Sequence, residues 1–183
     1  MMAVVYRFFL TFIALSLAIA VFLIQQKIHF LPLLHPKLCA VPPFVSYAIY
    51  LLLCVLFAWL SITLATFLAD DTFGAGTIKE LEQASDAFLP SYLGYFFVAL
   101  SVPSFQIFFL VFGIITILIF FSRAAYFNPL YFLFGFHFYY ATTSRDVKIL
   151  VITKKRLKLP TDVQFNSIKR INDFTYIDIE GEK

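Results

Sequence analysis

Residues 124–142 read Ala124-Ala125-Tyr126-Phe127-Asn128-Pro129-Leu130-Tyr131-Phe132-Leu133-Phe134-Gly135-Phe136-His137-Phe138-Tyr139-Tyr140-Ala141-Thr142, and the use the chain makes of this run decides the fold. It is apolar but marginal in length for a helix that must cross a bilayer, which takes about 20 residues. Asn128, Pro129, Gly135 and His137 interrupt it, and lipid cannot satisfy polar groups, so the segment is expected to face protein or a wet cavity. Two topologies compete. In one it is the last of four spans; in the other it lies in the interface or re-enters, leaving three spans and an external N-terminus. Four is preferred, because re-entry is the rarer use of an apolar run of this length. The expected fold is an all-α multi-span membrane protein with four transmembrane helices and a short cytoplasmic α/β C-terminal tail.

Composition points the same way. The chain has 183 residues, 61% of them hydrophobic and only 14% charged, with a mean hydropathy of +0.87, which argues against a water-soluble fold. The length leaves room for four or five spans beside a small tail and excludes transporters built from long inverted repeats. It also excludes a substantial separate enzyme domain. Phenylalanine supplies 25 residues, more than half of them between Phe88 and Phe138, against one Trp59.

Upstream of the deciding run, spans are expected at about 4–24, 44–68 and 104–121, and the fourth at 124–142. Arg7 lies close enough to the end of the first for its guanidinium to reach headgroups. A signal peptide cleaved after Ala18-Ile19-Ala20 is the disfavoured rival, since apolar sequence continues through Ile24. Pro32, Pro36, Pro42 and Pro43 make the next connection a loop. Ser46, Ser61, Thr63, Ala65 and Thr66 offer close helix approach in the second span, or are merely tolerated there. Thr77 and Glu80 fit a capping box, predicting a short helix through Ala87 after the Gly74-Ala75-Gly76 turn. Residues 91–121 are too long for one upright helix and too short for two spans. Residues 91–102 are therefore an interfacial or entering segment, bearing Tyr92 and Tyr95, with a kink at Pro103.

Charge divides the chain at about residue 142. Residues 1–142 carry five basic and five acidic side chains, whereas 143–183 carry nine and six, so the net charge of +3 belongs entirely to the tail. By the positive-inside rule this places the tail, and with four spans both termini, in the cytoplasm. Strands are expected at 147–153 and 174–179, with a turn or short helix at 166–170. Some forty residues rarely hold a core alone, so the tail should fold against its own membrane part, sister copies or a cytoplasmic partner. The run Lys154-Lys155-Arg156-Leu157-Lys158 suits anionic lipid headgroups first, an acidic face of a partner second, and nucleic acid least.

No catalytic or cofactor motif is present: there is no H-E-x-x-H, G-x-S-x-G, P-loop or C-x-x-C. His29, His35 and Cys39 share a loop that gives a metal no fixed geometry, and Cys54 is an apolar filler. The isolated polar residues Gln106, Asn128 and His137 do not form a transport path; His137 is expected to bond a neighbouring helix.

Phe127-Asn128-Pro129, Gly135-Phe136-His137-Phe138-Tyr139-Tyr140, Val147 to Lys155 and Lys169-Arg170-Ile171-Asn172-Asp173-Phe174-Thr175-Tyr176 resemble the KwaA membrane subunit of bacterial Kiwa anti-phage systems. The likeness is clearest over the last third of the chain. It implies an inner-membrane homo-oligomer that senses envelope disturbance during phage attachment, with a cytoplasmic KwaB partner that contacts phage DNA, so that this chain meets nucleic acid only through the partner. Lys154, Lys155, Arg156, Lys158, Lys169, Arg170, Asp173, Phe174 and Tyr176 are then the expected docking surface. A small oligomeric channel or permeabilising protein, or an accessory subunit of a transporter or envelope complex, remains the alternative.

Overall fold

A computed structural model describes residues 2–31, 41–74, 76–84, 89–122 and 128–179. Among the described residues four α-helices form one layer: α1 (Met2–Gln25), α2 (Pro43–Leu64), α3 (Leu89–Ser101) and α4 (Phe105–Ser122). Pro43 opens α2, where a missing N–H costs nothing, and α2 is prolonged by a 3-10 turn over Ala65–Phe67. The break at Pro103 separates α3 from α4, as expected from the missing N–H and the ring clash of proline.

Helix α1 is central, and the other three pack against it. It runs antiparallel to α2, with the Tyr6 hydroxyl donating to the Ser61 carbonyl at 3.0 Å near one end and the Tyr50 hydroxyl donating to the Ile28 carbonyl just beyond the other. It runs antiparallel to α4 as well: Phe22 stacks on Phe108, and at the opposite end Phe8 stacks on Phe120. Close approach rests on small residues, with Ala18, Ala58, Ala65 and Ala99 all essentially inaccessible. Ser46 and Ser61 are buried too, whereas Thr63 is half-buried and Thr66 exposed, each bonding its own helix backbone. The outward faces are apolar: Leu52, Leu56 and Trp59 on α2 and Phe109, Leu110 and Leu118 on α4 are each at least half exposed. By length and composition, 5–25 and 43–67 are the two helical stretches able to cross a membrane among the described residues, while 92–101 and 105–121 are shorter apolar helices.

The all-α, four-span expectation is overturned by a six-stranded mixed sheet. Its strands are β1 (Asp70–Phe73), β2 (Ile78–Gln83), β3 (His137–Thr143), β4 (Lys148–Thr153), β5 (Phe165–Asn172) and β6 (Thr175–Ile177). The deciding run is no helix. Asn128 caps a 3-10 turn over Pro129–Phe134, which Gly135 ends in the left-handed conformation at φ 78°, and β3 follows. In β3, Phe138 and Tyr140 face the helices while Tyr139 and Ala141 face the interior of the sheet. A strand covered on both faces is apolar at every position, and that continuous apolarity is what imitates a span. Gly135→Ala puts a Cβ on a left-handed residue that has open space around it, so the cost is backbone strain alone. We expect about 1 kcal/mol of destabilisation, read as a small drop in the thermal midpoint in detergent.

The sheet order is β1-β5-β6-β4-β3-β2, antiparallel throughout except for the parallel pair β4/β6. Strands β1 and β2 are its two edges, yet only residues 74–77 separate them in the chain. Four residues reach at most about 18 Å, whereas six flat strands are about 24 Å across. The sheet is therefore curled, and β1 and β2, which run in the same direction, act as one long strand bent at Gly74–Thr77 that closes a barrel. Gly76 takes φ 76° at the bend. Every strand sends side chains inward, among them Phe73, Ile78, Ala141, Val151, Ile168 and Tyr176, and Leu157 and Val163 fill the space from the β4–β5 connection. On the outer face Phe138, Leu150, Ile152 and Ile177 pack on Tyr6, Leu10, Ile62 and Tyr131 of the helical layer and the 3-10 turn.

Two further expectations are corrected. Ile78–Gln83 is a strand and not a helix, because pairing with β3 outweighs the local capping pattern; Ala87 lies outside the described residues. Residues 166–170 belong to β5, paired on both sides. The strands expected at 147–153 and 174–179 are present as β4 and β6. The last 41 residues supply only half of the sheet, and β1, β2 and β3 come from upstream.

Candidate functional site

The basic run leaves the barrel directly after β4, and five hydrogen bonds fix its path. The Thr153 hydroxyl donates to Asp178 Oδ2 at 2.7 Å and accepts from the Lys155 N–H at 3.1 Å. Two residues on, the Leu157 N–H donates to the Tyr139 hydroxyl at 3.2 Å while its side chain enters the interior. The N–H groups of Lys158 and Leu159 then both donate to Asp162 Oδ2, at 3.0 and 2.9 Å. Those two bonds hold the Asp162 carboxyl below the usual carboxylate range. With alternate positions pinned inward, Lys154, Arg156 and Lys158 stand exposed and Lys155 is half-buried. Lys154 lies over the Phe136 ring at 5.1 Å and Lys155 over Phe165 at 5.3 Å, contacts that steady the ammonium groups without neutralising them. Beside them a cavity of about 470 Å³ is lined by Lys155, Arg156, Leu157, Thr161, Asp162 and Gln164.

The nine expected docking residues do not form one patch. Because β6 pairs with β4 in parallel, Leu150 opposite Thr175, the turn carrying Asp173 and Phe174 stands at the start of β4 while Lys154 follows its end. Lys169 sits nearer the basic run, opposite Ile177, which is in turn opposite Ile152. It is already engaged: Asp70 accepts from Lys169 at 2.8 Å and from the Ser167 hydroxyl at 2.7 Å. Lys169 first and Ser167 second hold the Asp70 carboxyl below its ordinary range, so this tie of β1 to β5 weakens as acid protonates Asp70. Arg170 is ion-paired with Asp173. Phe174 is exposed, but Tyr176 is buried edge-on against Phe73 inside the barrel, with ring centroids 4.9 Å apart.

Of the residues expected at membrane depth, Gln106 is exposed on the first turn of α4. Asn128 is buried; its Oδ1 accepts from the Leu130 N–H at 2.9 Å, and its Nδ2 has no partner among the described residues. His137 lies on β3 opposite Thr153, within the barrel wall. His35 and Cys39 lie outside the described residues, and among the described residues no cluster of three or more His, Cys, Asp or Glu is arranged to hold a metal.

Sequence reasoning missed two buried polar pairs. One is Thr153 with Asp178. The other joins the helices to the 3-10 turn: Ser61 Oγ and the Tyr131 hydroxyl lie 2.7 Å apart, and Tyr6 bonds the Ser61 carbonyl. A Tyr inside an apolar run signals such a bond, but nothing local names a partner 70 residues away. The family model described as anti-phage protein KwaA matches residues 6–177. No curated protein and no solved structure matches the chain.

Proposed function

This chain belongs to the KwaA family of anti-phage proteins, and from that premise we propose that it is the membrane-held subunit of a bacterial inner-membrane defence complex, inserted through α1 and α2 and recruiting a cytoplasmic, DNA-binding KwaB-like partner on its basic loop. The observation that carries this reading is the joining of two unlike surfaces. Two helices of spanning length present apolar faces outward, and the barrel fixed to them displays exposed cations at Lys154, Arg156 and Lys158, with Lys158 attracted to Asp162 and no carboxylate ion pair at Lys154 or Arg156 among the described residues. Tyr6 near the start of α1 meets Ser61 near the end of α2, where the chain passes into β1. The N-terminus and the barrel thus lie at the same end of the helices, which supports a cytoplasmic position for both under the positive-inside rule. Self-association through the exposed helix faces completes the reading, and phage nucleic acid is met only through the partner.

The charge-reversed variant K154E/K155E/R156E tests it. Rim charges act on encounter and orientation, so retention of the co-expressed soluble partner by the detergent-solubilised chain should fall roughly tenfold. The amount of protein resisting alkaline extraction from membranes should not change. Unchanged partner recovery would assign the loop to anionic lipid instead. A wild-type chain that elutes alone and monomeric would sink the recruiting role.

A further inference from the structure

The 3-10 turn over Pro129–Phe134 packs on α2, and one hydrogen bond fixes its height along that helix: the Tyr131 hydroxyl and Ser61 Oγ lie 2.7 Å apart. The apolar stretch 43–67 has 25 residues, about 38 Å at 1.5 Å each, or about 8 Å more than a hydrocarbon core of ~30 Å. Centred on a bilayer, it overhangs the core by about 4 Å at each end. Ser61 stands six residues short of Phe67, roughly 9 Å along the axis and so about 5 Å inside the boundary. From the first turns of the other spanning-length helix, Tyr6 bonds the Ser61 carbonyl. The turn is thereby brought to the depth of interfacial elements, which lie about 5–10 Å into the border of headgroups and acyl chains.

Its side chains and backbone suit that depth. Leu130 and Tyr131 are buried, whereas Leu133 points away from the helices and is 68% exposed. Phe67 just beyond α2 and Val5 and Phe8 at the start of α1 are also more than half exposed, so apolar surface extends from the helices to the turn at this end. Non-helical backbone enters an apolar medium only if its N–H groups are satisfied. Here the Leu130 N–H donates to Asn128 Oδ1. The Tyr131 N–H donates to the Asn128 carbonyl, the Gly135 N–H to Phe132 and the Phe136 N–H to Tyr131, at 3.0, 3.0 and 3.1 Å. A cation stands next to the turn, Lys154 over the Phe136 ring, placed as basic residues are at the rim of an apolar face that meets anionic headgroups.

We propose that this turn is an interfacial membrane anchor: Leu133 enters the border of headgroups and acyl chains in the cytoplasmic leaflet, and the barrel is seated on the membrane instead of standing free in water. The anchor rests on insertion through α1 and α2 and adds a third element in contact with lipid. It also starts the docking loop at the membrane surface, with Lys154 first.

Trp59 is the chain's one tryptophan, which makes quenching by brominated lipid the direct measurement. The full chain is reconstituted in vesicles of phosphatidylethanolamine and phosphatidylglycerol, part of the lipid being brominated near the head of the acyl chain. Leu133→Trp in a Trp59→Phe background should lose about half of its emission or more, as suits an indole about 5–10 Å into the border. Glu80→Trp in the same background, at an exposed charged position of β2, should keep its emission. Because Leu133 and Glu80 are exposed, both variants should melt in detergent with the midpoint of Trp59→Phe alone. Trp59 of the wild-type chain, half exposed on α2, reports insertion separately. Quenching of Trp59 without quenching at position 133 overturns the anchor and leaves insertion standing. Equal quenching at positions 133 and 80 overturns the anchor as well. An unquenched Trp59 overturns insertion through α2 and the anchor with it.

Discussion

Phe138→Ala is expected to destabilise the chain by about 3–5 kcal/mol, the cost of emptying a fully packed aromatic site. Phe138 is inaccessible to solvent and sits where the outer face of the barrel meets the helices. Its ring lies nearly parallel to Tyr131, at 6.2 Å, and edge-on to Phe132, at 5.4 Å. The site cannot collapse easily, because the Phe138 carbonyl accepts the Ala84 N–H and so fixes the neighbouring strand. Against a typical total stability of about 5–15 kcal/mol, the loss should lower the thermal midpoint of the detergent-solubilised chain sharply. Phe138→Leu should cost about 1.5 kcal/mol or less, since it largely conserves volume. A wild-type midpoint for Phe138→Ala would mean that residues 129–142 are not packed between barrel and helices.

Thr153→Val is the second large effect, about 2–3 kcal/mol, although the two side chains have nearly the same shape. The cost lies in what remains behind. Asp178 is almost wholly buried, and the substitution removes the hydroxyl that donates to its carboxylate at 2.7 Å. A buried acceptor stripped of its donor bears its desolvation penalty in full, more so when charged. Replacing both members by apolar residues, Thr153→Val with Asp178→Leu, should recover most of the loss, and chemical denaturation of the two variants checks the pair. Thr153 also accepts from the Lys155 N–H, so the single variant should loosen the basic loop and weaken partner retention in step with stability.

The helices were the legible part of this chain. α1, α2 and α4 are long apolar runs, with Arg7 the one charge in α1, and the missing N–H of Pro103 marks a boundary on its own. The strands were less so, for separate reasons. β3 is apolar on both faces, so the alternation that identifies a half-buried strand is absent; its remaining signals were Gly135 and the aromatic composition of 136–140, which favours a pleated surface. β2 carries Thr77 and Glu80 at capping-box spacing, and only pairing with β3, some sixty residues away, overrides that. β5 has a register irregularity between Arg170 and Asn172 that breaks its period of two. At the candidate site, the exposure of Lys154, Arg156 and Lys158 was readable because a dense cationic run cannot be buried. The burial of Tyr176 was not, since the residue that covers it, Phe73, lies about a hundred positions earlier.

The bent strand that closes the barrel also sets an order of events during synthesis. Asp70 pairs with Lys169, and β1 and β2 leave the ribosome well before β4, β5 and β6 exist. At about 5–20 residues per second, the hundred residues between them take roughly 5–20 s. For that interval β1 waits unpaired, and β2 waits for β3 some sixty residues on, a setting in which a bare strand invites the wrong neighbour. Its side chains suit the wait: Asp70, Asp71, Lys79, Glu80 and Glu82 put charge along it, the usual defence of an unpaired edge. In the finished barrel three of them, Asp70, Lys79 and Glu82, take up Lys169, Asp146 and Lys148, so groups that keep the nascent strand in water become ties that later hold it.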